Sequence, residues 1–413
     1  MTQPGDFDLL VAGGGLVGTS LARALAGSPL RIALVEAIPP GDAGQPSFDD
    51  RSTALAPSSR RLLRVLGCWP AIEAEATPIR AIHVSDQGHF GLTRLRAADE
   101  GLDALGHVVP NRVLGQALAG CIAGQDNLWV FSPARVTSLE QGDDAVTACL
   151  EGAGVPERLR ARLVVAADGS RSPIRRQLGF GLSERDYGQS GVVANVAVER
   201  DHAGWAFERF TREGPLALLP LPERRCALVW TMGHERAQRI LALDDAAFLA
   251  ALQRAFGFRL GRLLRVGRRQ SYPLHLLRVR ERLRGRVVVL GNAARTLHPV
   301  AGQGFNLALR DVAELAECLD AGVREGADPG DPAALKAYDR ARRADERRVV
   351  TFTDGLVRLF SNRDPLLTLG RNLGLVAMDL LPGLRRRLAH QAMGRHGRLP
   401  RLSRGLPLRH APD

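Results

Sequence analysis

Apolar and polar positions follow one another along this chain in blocks of different period. An apolar run at residues 7–11 leads into Gly13-Gly14-Gly15-Leu16-Val17-Gly18, then into Leu21, Leu25 and Ala26 at helical spacing, then into a second apolar run at residues 31–35 that ends at Glu36. Short apolar runs bounded by glycine predict buried strands, and recurrence every three or four residues predicts one helix face. The first block therefore predicts strand, helix, strand. An amphipathic helix over 58–66 ending at Gly67, a strand over 81–85, and a helix carrying Val113, Leu114, Ala117, Leu118 and Ile122 follow. Residues 130–139 and 145–150 predict a hairpin, and 162–166 another buried strand.

From 190 to 273 the texture changes to strand-like runs (192–198, 205–210, 216–221, 226–232, 270–274) separated by polar turns, with one helix over 245–256. That pattern predicts a mostly antiparallel sheet inserted into the first fold. The β-branched run 287–290 then ends at Gly291, a turn-rich segment with His298, Pro299, Gly302 and Gly304 intervenes, and from Phe305 the positions Leu309, Val312, Ala313, Leu315, Ala316 and Leu319 recur at helical spacing. Beyond a loose Gly/Pro-containing linker at 322–332, residues 340–359 and 366–381 read as helices, the second strongly apolar. The expected architecture is α/β: a discontinuous Rossmann-like nucleotide-binding domain (1–75, 106–182, 284–332), an antiparallel sheet domain (76–105, 183–283) and a C-terminal helical region with a basic tail (333–413).

With 413 residues and 45% hydrophobic content the chain can bury a substantial core. Its net charge of +12 would suggest an anionic partner. Yet Lys336 is the only lysine, so the basic residues are almost all arginine, spread over the whole chain, and no zinc-finger spacing or aromatic-basic signature accompanies them. Nucleic acid is not an expected partner. Five isolated cysteines, without paired spacing, fit a reducing cytoplasm and no metal site. No signal-like start and no run of ~20 apolar residues is present, so a cytoplasmic protein is expected. The apolar 366–381 stretch beside Arg385, Arg386 and Arg387 suits either contact with the inner face of an anionic membrane or a helix packed on the body followed by a disordered tail.

The chemistry begins at the first block. Gly13, Gly15 and Gly18 form G-x-G-x-x-G between a strand and a helix, with Glu36 closing the second strand. In that motif the first glycine makes a tight turn, the second admits a pyrophosphate to the backbone, the third lets helix and strand pack, and the acid accepts ribose hydroxyls. No second such fingerprint follows, and no acid, base or metal constellation stands out. One tightly held dinucleotide that brings its own reactive ring, FAD, is the reading that fits. Arg51, just after the second strand, is either a surface arginine or a pyrophosphate contact. Arg112, at a helix start where the dipole disfavours a cation, calls for an anionic partner. Asp168-Gly169-Ser170-Arg171-Ser172-Pro173-Ile174-Arg175, at the end of a buried strand, combines an N-capped helix with an acid aimed at the cofactor side.

Three motifs in this order, GGGLVG, ADGSRSPIR and GNAARTLHPVAGQGFNLALRD, resemble those of the single-component FAD-dependent aromatic hydroxylases, whose fold is that of para-hydroxybenzoate hydroxylase. The HPVAGQGFN wording and GPLALLPL at 214–221 are similar to the ubiquinone-biosynthesis branch. The resemblance implies that Gly13, Gly15, Leu16, Val17 and Gly18 bind the FAD diphosphate, Glu36 its ribose, and Arg51 and Arg112 its phosphates or ribityl chain. It also implies cofactor contacts from Asp168, Gly291, Asn292, Gly302, Gly304 and Asn306. Asn292 stands where most relatives carry aspartate; asparagine keeps an acceptor oxygen but loses charge-assisted strength.

The implied reaction uses NAD(P)H as a transient co-substrate and O2 to hydroxylate a lipophilic prenylphenol, a 2-polyprenyl-6-methoxyphenol. Backbone N–H groups of Gly302, Gln303 and Gly304 would stabilise negative charge on reduced flavin. His298 and Pro299 would lie beside the reacting ring, with His298 either a base or a hydrogen-bonded loop residue. Leu216, Leu218 and Leu219 and the apolar 366–381 helix are expected to line the substrate tunnel. The same fold acting on a small soluble aromatic, or a non-catalytic flavin-binding component of a biosynthetic complex, are the competing readings.

Overall fold

The strand Phe7–Ala12 is almost wholly buried and pairs in parallel with Ile32–Val35 on one side and Arg158–Ala166 on the other. The computed structural model describes residues 6–42, 45, 51–298, 302–361, 364–392 and 399–408. Val287–Val289 adds in parallel outside Arg158–Ala166, and Leu128–Phe131 outside Ile32–Val35. Leu9 and Val11 point to the face covered by helices Leu16–Ala24, Pro57–Val65, Asn111–Ile122 and Gln303–Arg324, whereas Phe7, Leu10 and Ala12 point to a hairpin on the other. Both faces are dry, which is why the strands read as continuous apolar runs. The hairpin joins Arg135–Gln141 to Val146–Glu151. Val130 is not part of it but of the parallel strand before it, a boundary that two consecutive apolar runs conceal.

The second sheet is the expected insertion. Its order is Arg295–Thr296, Gln270–Val279, Leu182–Val198, Arg225–Gly233, Pro215–Leu221, Trp205–Phe210, Ala81–Asp86, Leu92–Arg96. Those pairings are antiparallel except Trp205–Phe210 with Ala81–Asp86. Helices His234–Leu241 and Asp245–Phe256 cover its outer face; the former was not legible, being mostly polar. Arg295–Thr296 carries the late motif into this sheet and so couples the two halves. Thr77–Ile79 instead joins Gly106–Pro110 and Ser52–Leu55 in a small third sheet between them.

The helix Pro332–Ser361 packs on Gln303–Arg324 around a buried ionic cluster. Asp311 meets Arg295, Arg342 and Arg282 there, and Glu346 meets Arg278 and Arg282. Burial pushes the Asp311 carboxyl up, but the three guanidiniums outweigh it and hold the carboxyl well below its usual range. The helix Pro365–Leu380 is strapped to the 81–96 hairpin. Asp86 accepts from Arg371 (2.9 Å) and Asn372 (3.0 Å), and Asn372 accepts from the Gly91 N–H at 2.9 Å. A Cβ at Gly91 would stand 2.2 Å from the Asn372 side chain, so this docking requires glycine. Part of the basic tail is also docked rather than disordered: Leu402 and Leu408 are buried, and Ser403 O and Arg401 N engage Arg61 and Glu317. Among the described residues no helix is long and apolar enough to cross a membrane.

Candidate active site

The three sequence motifs leave the carboxyl ends of three adjacent parallel strands at one level: Ala12 is in register with Ala166, and Ala166 with Val289. Open α/β sheets bind their ligands at this edge. Gly13 (φ +106°) crosses so close that a Cβ would lie 2.6 Å from Ala167 O, and a Cβ on Gly18 would lie 1.9 Å from Gly13 O. These two glycines are therefore required by backbone contacts alone. Glu36 accepts from Gly14 N at 2.5 Å and Ile38 N at 2.7 Å, fixing its carboxylate at the second strand end.

One cavity of about 1670 Å³ runs from this edge across the inner face of the second sheet. Its wall includes Gly13, Gly15, Leu16, Val17, Glu36, Arg51, Asp168, Asn292, His298, Gly302, Gln303, Gly304 and Asn306. A single drug-sized ligand needs about 300–1,000 Å³, so there is room for a dinucleotide and an aromatic substrate together. Gly291 (φ +59°) sits against Val17, where a Cβ would come within 3.1 Å of the valine methyls. Gly302 (φ +58°) is the left-handed residue that starts Gln303–Arg324, and among the described residues no side chain caps that helix. The first-turn N–H groups and the positive end of the dipole hence face the cavity, a setting for anionic charge.

Several residues do something other than expected. Asn306 is consumed by the protein: its Oδ1 accepts from Ala56 N and Ser59 Oγ (both 2.7 Å), and its Nδ2 donates to Ala54 O and Gly302 O (both 2.8 Å). Its side chain thereby fixes the Gly302 turn against the 54–59 segment. Arg112 lies off the cavity wall; the anion at its helix start is Glu75. Leu216 and Leu218 are corrected outright. On Pro215–Leu221 the alternation sends Pro215, Ala217 and Leu219 into the cavity and Leu216 and Leu218 to the opposite face, in the core beneath the two covering helices. Pro299 lies outside the described residues.

His298 is buried, edge-on to Tyr187 (5.2 Å between centroids), and burial pushes its pKa down to about 4. It is neutral at pH 7 and can accept a proton or share a hydrogen bond, not supply charge. Arg51 lies over the Tyr272 ring at 4.8 Å, both on the wall. Arg175 donates to Ala293 O (2.9 Å) and Ser170 O (2.7 Å), joining the middle motif to the late one.

The wall also fits FAD by what it leaves unsatisfied. Asp168 Oδ1, Ser52 Oγ and Thr296 Oγ1 are buried without hydrogen-bond partners among the described residues, all three on the cavity wall. Burial raises the Asp168 pKa although Ser172 and the Ile174 N–H oppose it. Such orphaned groups cost about 1–3 kcal/mol each unless a ligand meets them, and ribityl and diphosphate oxygens along this edge would. Ser52 and Thr296 were not singled out from sequence because lone hydroxyls carry no motif.

Beyond the flavin end the cavity turns apolar. Ile82, Leu95, Ala217 and Leu219 of the second sheet face Leu356, Leu367, Leu375 and Met378 of the C-terminal helices. Three polar groups that sequence reasoning passed over, Glu208, Thr93 and Thr231, interrupt this wing.

Residues 6–353 match the FAD binding domain family. The chain is 41% identical to the ubiquinone hydroxylase UbiL of Rhodospirillum rubrum, covering 97% of this chain and 93% of that protein. It is 32% identical to the 3-demethoxyubiquinol 3-hydroxylase of Escherichia coli over 94% and 98% of the two chains. The crystal structure of p-nitrophenol 4-monooxygenase PnpA from Pseudomonas putida shares the fold at a TM-score of 0.79, with 20% identity, 96% of this chain and 100% of that one. The chain belongs to the FAD-dependent aromatic hydroxylases of the FAD binding domain family, in the branch of the ubiquinone hydroxylases.

Proposed function

We propose that this protein hydroxylates the aromatic ring of a polyprenylated phenol in ubiquinone biosynthesis, with NAD(P)H as reductant and O2 as oxygen source. The observation that carries the reading is the continuity of one cavity from the glycine fingerprint, past the Gly302 loop, into an apolar wing that opens at the helix Pro365–Leu380. FAD held along the strand edge by Gly13, Gly15 and Gly18 would supply the redox chemistry between NAD(P)H and O2. The chain's own part is to hold and shield. Gly302, Gln303 and Gly304, at the helix start on the cavity wall, would favour negative charge on a reduced flavin ring held there, and neutral His298 would add no competing charge. The apolar wing keeps water from the reacting ring. A small carboxylate-bearing aromatic fits this wing poorly, because Arg371, the guanidinium on its wall, is bound to Asp86.

The wing leads to the membrane side. Leu366, Leu373 and Leu380 recur every seven residues on one helical stripe and are 80%, 54% and 71% exposed, with Leu366 also on the cavity wall. An apolar ridge beside Arg385–Arg387 suits peripheral contact with anionic lipid, from which a prenyl tail enters. The test is turnover: purified protein with bound FAD, NAD(P)H, O2 and 2-methoxy-6-farnesylphenol should yield a product heavier by one oxygen. Failure of any prenylphenol to stimulate NAD(P)H oxidation in the FAD-loaded protein would sink the reading.

A further inference from the structure

The carboxyl group of Glu208 lies on the floor of the substrate wing. It belongs to Trp205–Phe210, whose alternation sends Ala206, Glu208 and Phe210 inward. Its in-register neighbours are Val84 on one side and Ala217 on the other, both apolar and both on the cavity wall. Among the described residues it makes no hydrogen bond or ion pair, and no nearby charge acts on it; burial alone pushes its pKa up to about 7. The charged group of the facing helices, Arg371, is held by Asp86 and Leu359 O, and His298 at the flavin end is neutral. The other acids on the wall, Glu36 and Asp168, stand at the cofactor edge.

Glu208 is half-buried on an apolar wall, where a charge without a protein partner is poorly stabilised. The partner it lacks must arrive with the ligand, and it must be a hydrogen-bond donor that enters an apolar pocket. We propose that Glu208 is the residue that receives the ring hydroxyl of the aromatic substrate and acts as its general base, an inference that rests on the hydroxylase reading above.

The proton balance is closed. The phenolic O–H bond breaks, its electron pair stays on oxygen, and the proton forms an O–H bond with a Glu208 carboxylate oxygen. That pair is released into the ring as the new C–O bond forms at a ring carbon and the O–O bond breaks; O2 supplies the oxygen atom, NAD(P)H the two electrons, and the second oxygen leaves as water after taking up two protons, one of them equivalent to that lost from the ring carbon. When the ring carbon loses its hydrogen as a proton, the proton on Glu208 returns to the original oxygen, so Glu208 ends as it began. A base titrating near neutrality is matched to this task.

The experiment compares wild type, Glu208→Gln and Glu208→Leu as FAD-loaded protein, using 2-methoxy-6-farnesylphenol and its O-methyl ether. Wild type should bind the phenol more tightly than the ether, on the order of tenfold to a hundredfold, the range for a hydrogen bond to a charged group. Glu208→Leu should lose that preference and Glu208→Gln, which keeps an acceptor oxygen without the charge, should weaken it, both retaining FAD. Hydroxylation by Glu208→Gln should fall on the order of a hundredfold or more, and the rise of activity with pH around neutrality should disappear. A variant that keeps both the phenol preference and the wild-type pH profile overturns the role of Glu208 and leaves the hydroxylase reading standing. Loss of the preference in variants of a wild type that never forms product supports Glu208 as the hydroxyl receptor and overturns the hydroxylase reading instead.

Discussion

Asn306 grips Ala54 from 252 residues away: its carboxamide nitrogen lies 2.8 Å from Ala54 O while its oxygen takes the Ala56 N–H at 2.7 Å. One side chain thus ties the start of the late helix to the small sheet and to the helix Pro57–Val65, and holds Gly302 O as well. Removing it in Asn306→Ala strands two donors and two acceptors in a buried place. At about 1–3 kcal/mol for each unsatisfied group, a loss of about 3 kcal/mol or more is expected in urea unfolding of the apoprotein. Unchanged stability together with lost FAD would mean that Asn306 serves the cofactor after all.

The glycine motifs make a sharper prediction through contrast. Gly18→Ala places a methyl 1.9 Å from Gly13 O and must open the fingerprint turn, whereas Gly120→Ala, in the helix Asn111–Ile122 and off the cavity wall, meets nothing within 4 Å. The first variant should purify colourless and the second yellow, read as the ratio of flavin to protein absorbance. Equal flavin content in both would contradict the geometry.

Asp311 is the anion at the centre of three buried guanidiniums. Breaking a buried ionic cluster from one side leaves charge uncompensated, at about 3–5 kcal/mol. Asp311→Asn should therefore lose that much at pH 7 by chemical denaturation. Because its folded pKa is depressed, the stability that Asp311 contributes is present above the unfolded carboxylate pKa and is lost as pH falls through the folded one. Wild type should thus lose its advantage over Asp311→Asn in acid.

Glu208 carries the opposite sign. Its folded pKa, about 7, lies above the ordinary value, so its folded-state preference for the proton favours the fold at low pH and is lost as pH rises from about 4 through 7. Glu208→Leu should gain stability over wild type across that window in the apoprotein, seen as a difference in unfolding midpoint that grows with pH and then levels. A flat difference would show that Glu208 has a partner in the folded protein.

The sites that could be read from sequence are those where backbone geometry leaves one residue type possible. Gly13 and Gly18 cannot carry a side chain, Gly302 sits at positive φ, and Asp168 follows a strand end, so order and spacing gave their place. The face of a doubly buried strand is another matter. Pro215–Leu221 is apolar on both sides, so period two does not say which side meets the cavity, and Leu216 and Leu218 were assigned to the wrong one. Glu208 was hidden in the arginine-rich FERF stretch, where a charged residue reads as surface. The Asp311 cluster joins residues from 282 to 346 in a chain full of arginine, and only the fold selects its members.

The exposed leucine stripe of Pro365–Leu380 gives the last prediction. Leu373 and Leu380 project from the same side as Leu366 but are absent from the cavity wall, so changing them leaves the flavin end and the wing untouched. Leu373→Glu with Leu380→Glu introduces two charges that oppose both apolar insertion and attraction to anionic lipid. Wild type should float with vesicles containing anionic lipid, and the double variant should stay in the soluble fraction with its FAD in place. On a detergent-dispersed short-tail phenol the variant should keep wild-type kcat, while on substrate embedded in vesicles its rate should fall several-fold. Equal flotation of both proteins would remove this ridge as the membrane contact and move attention to the arginines beyond it.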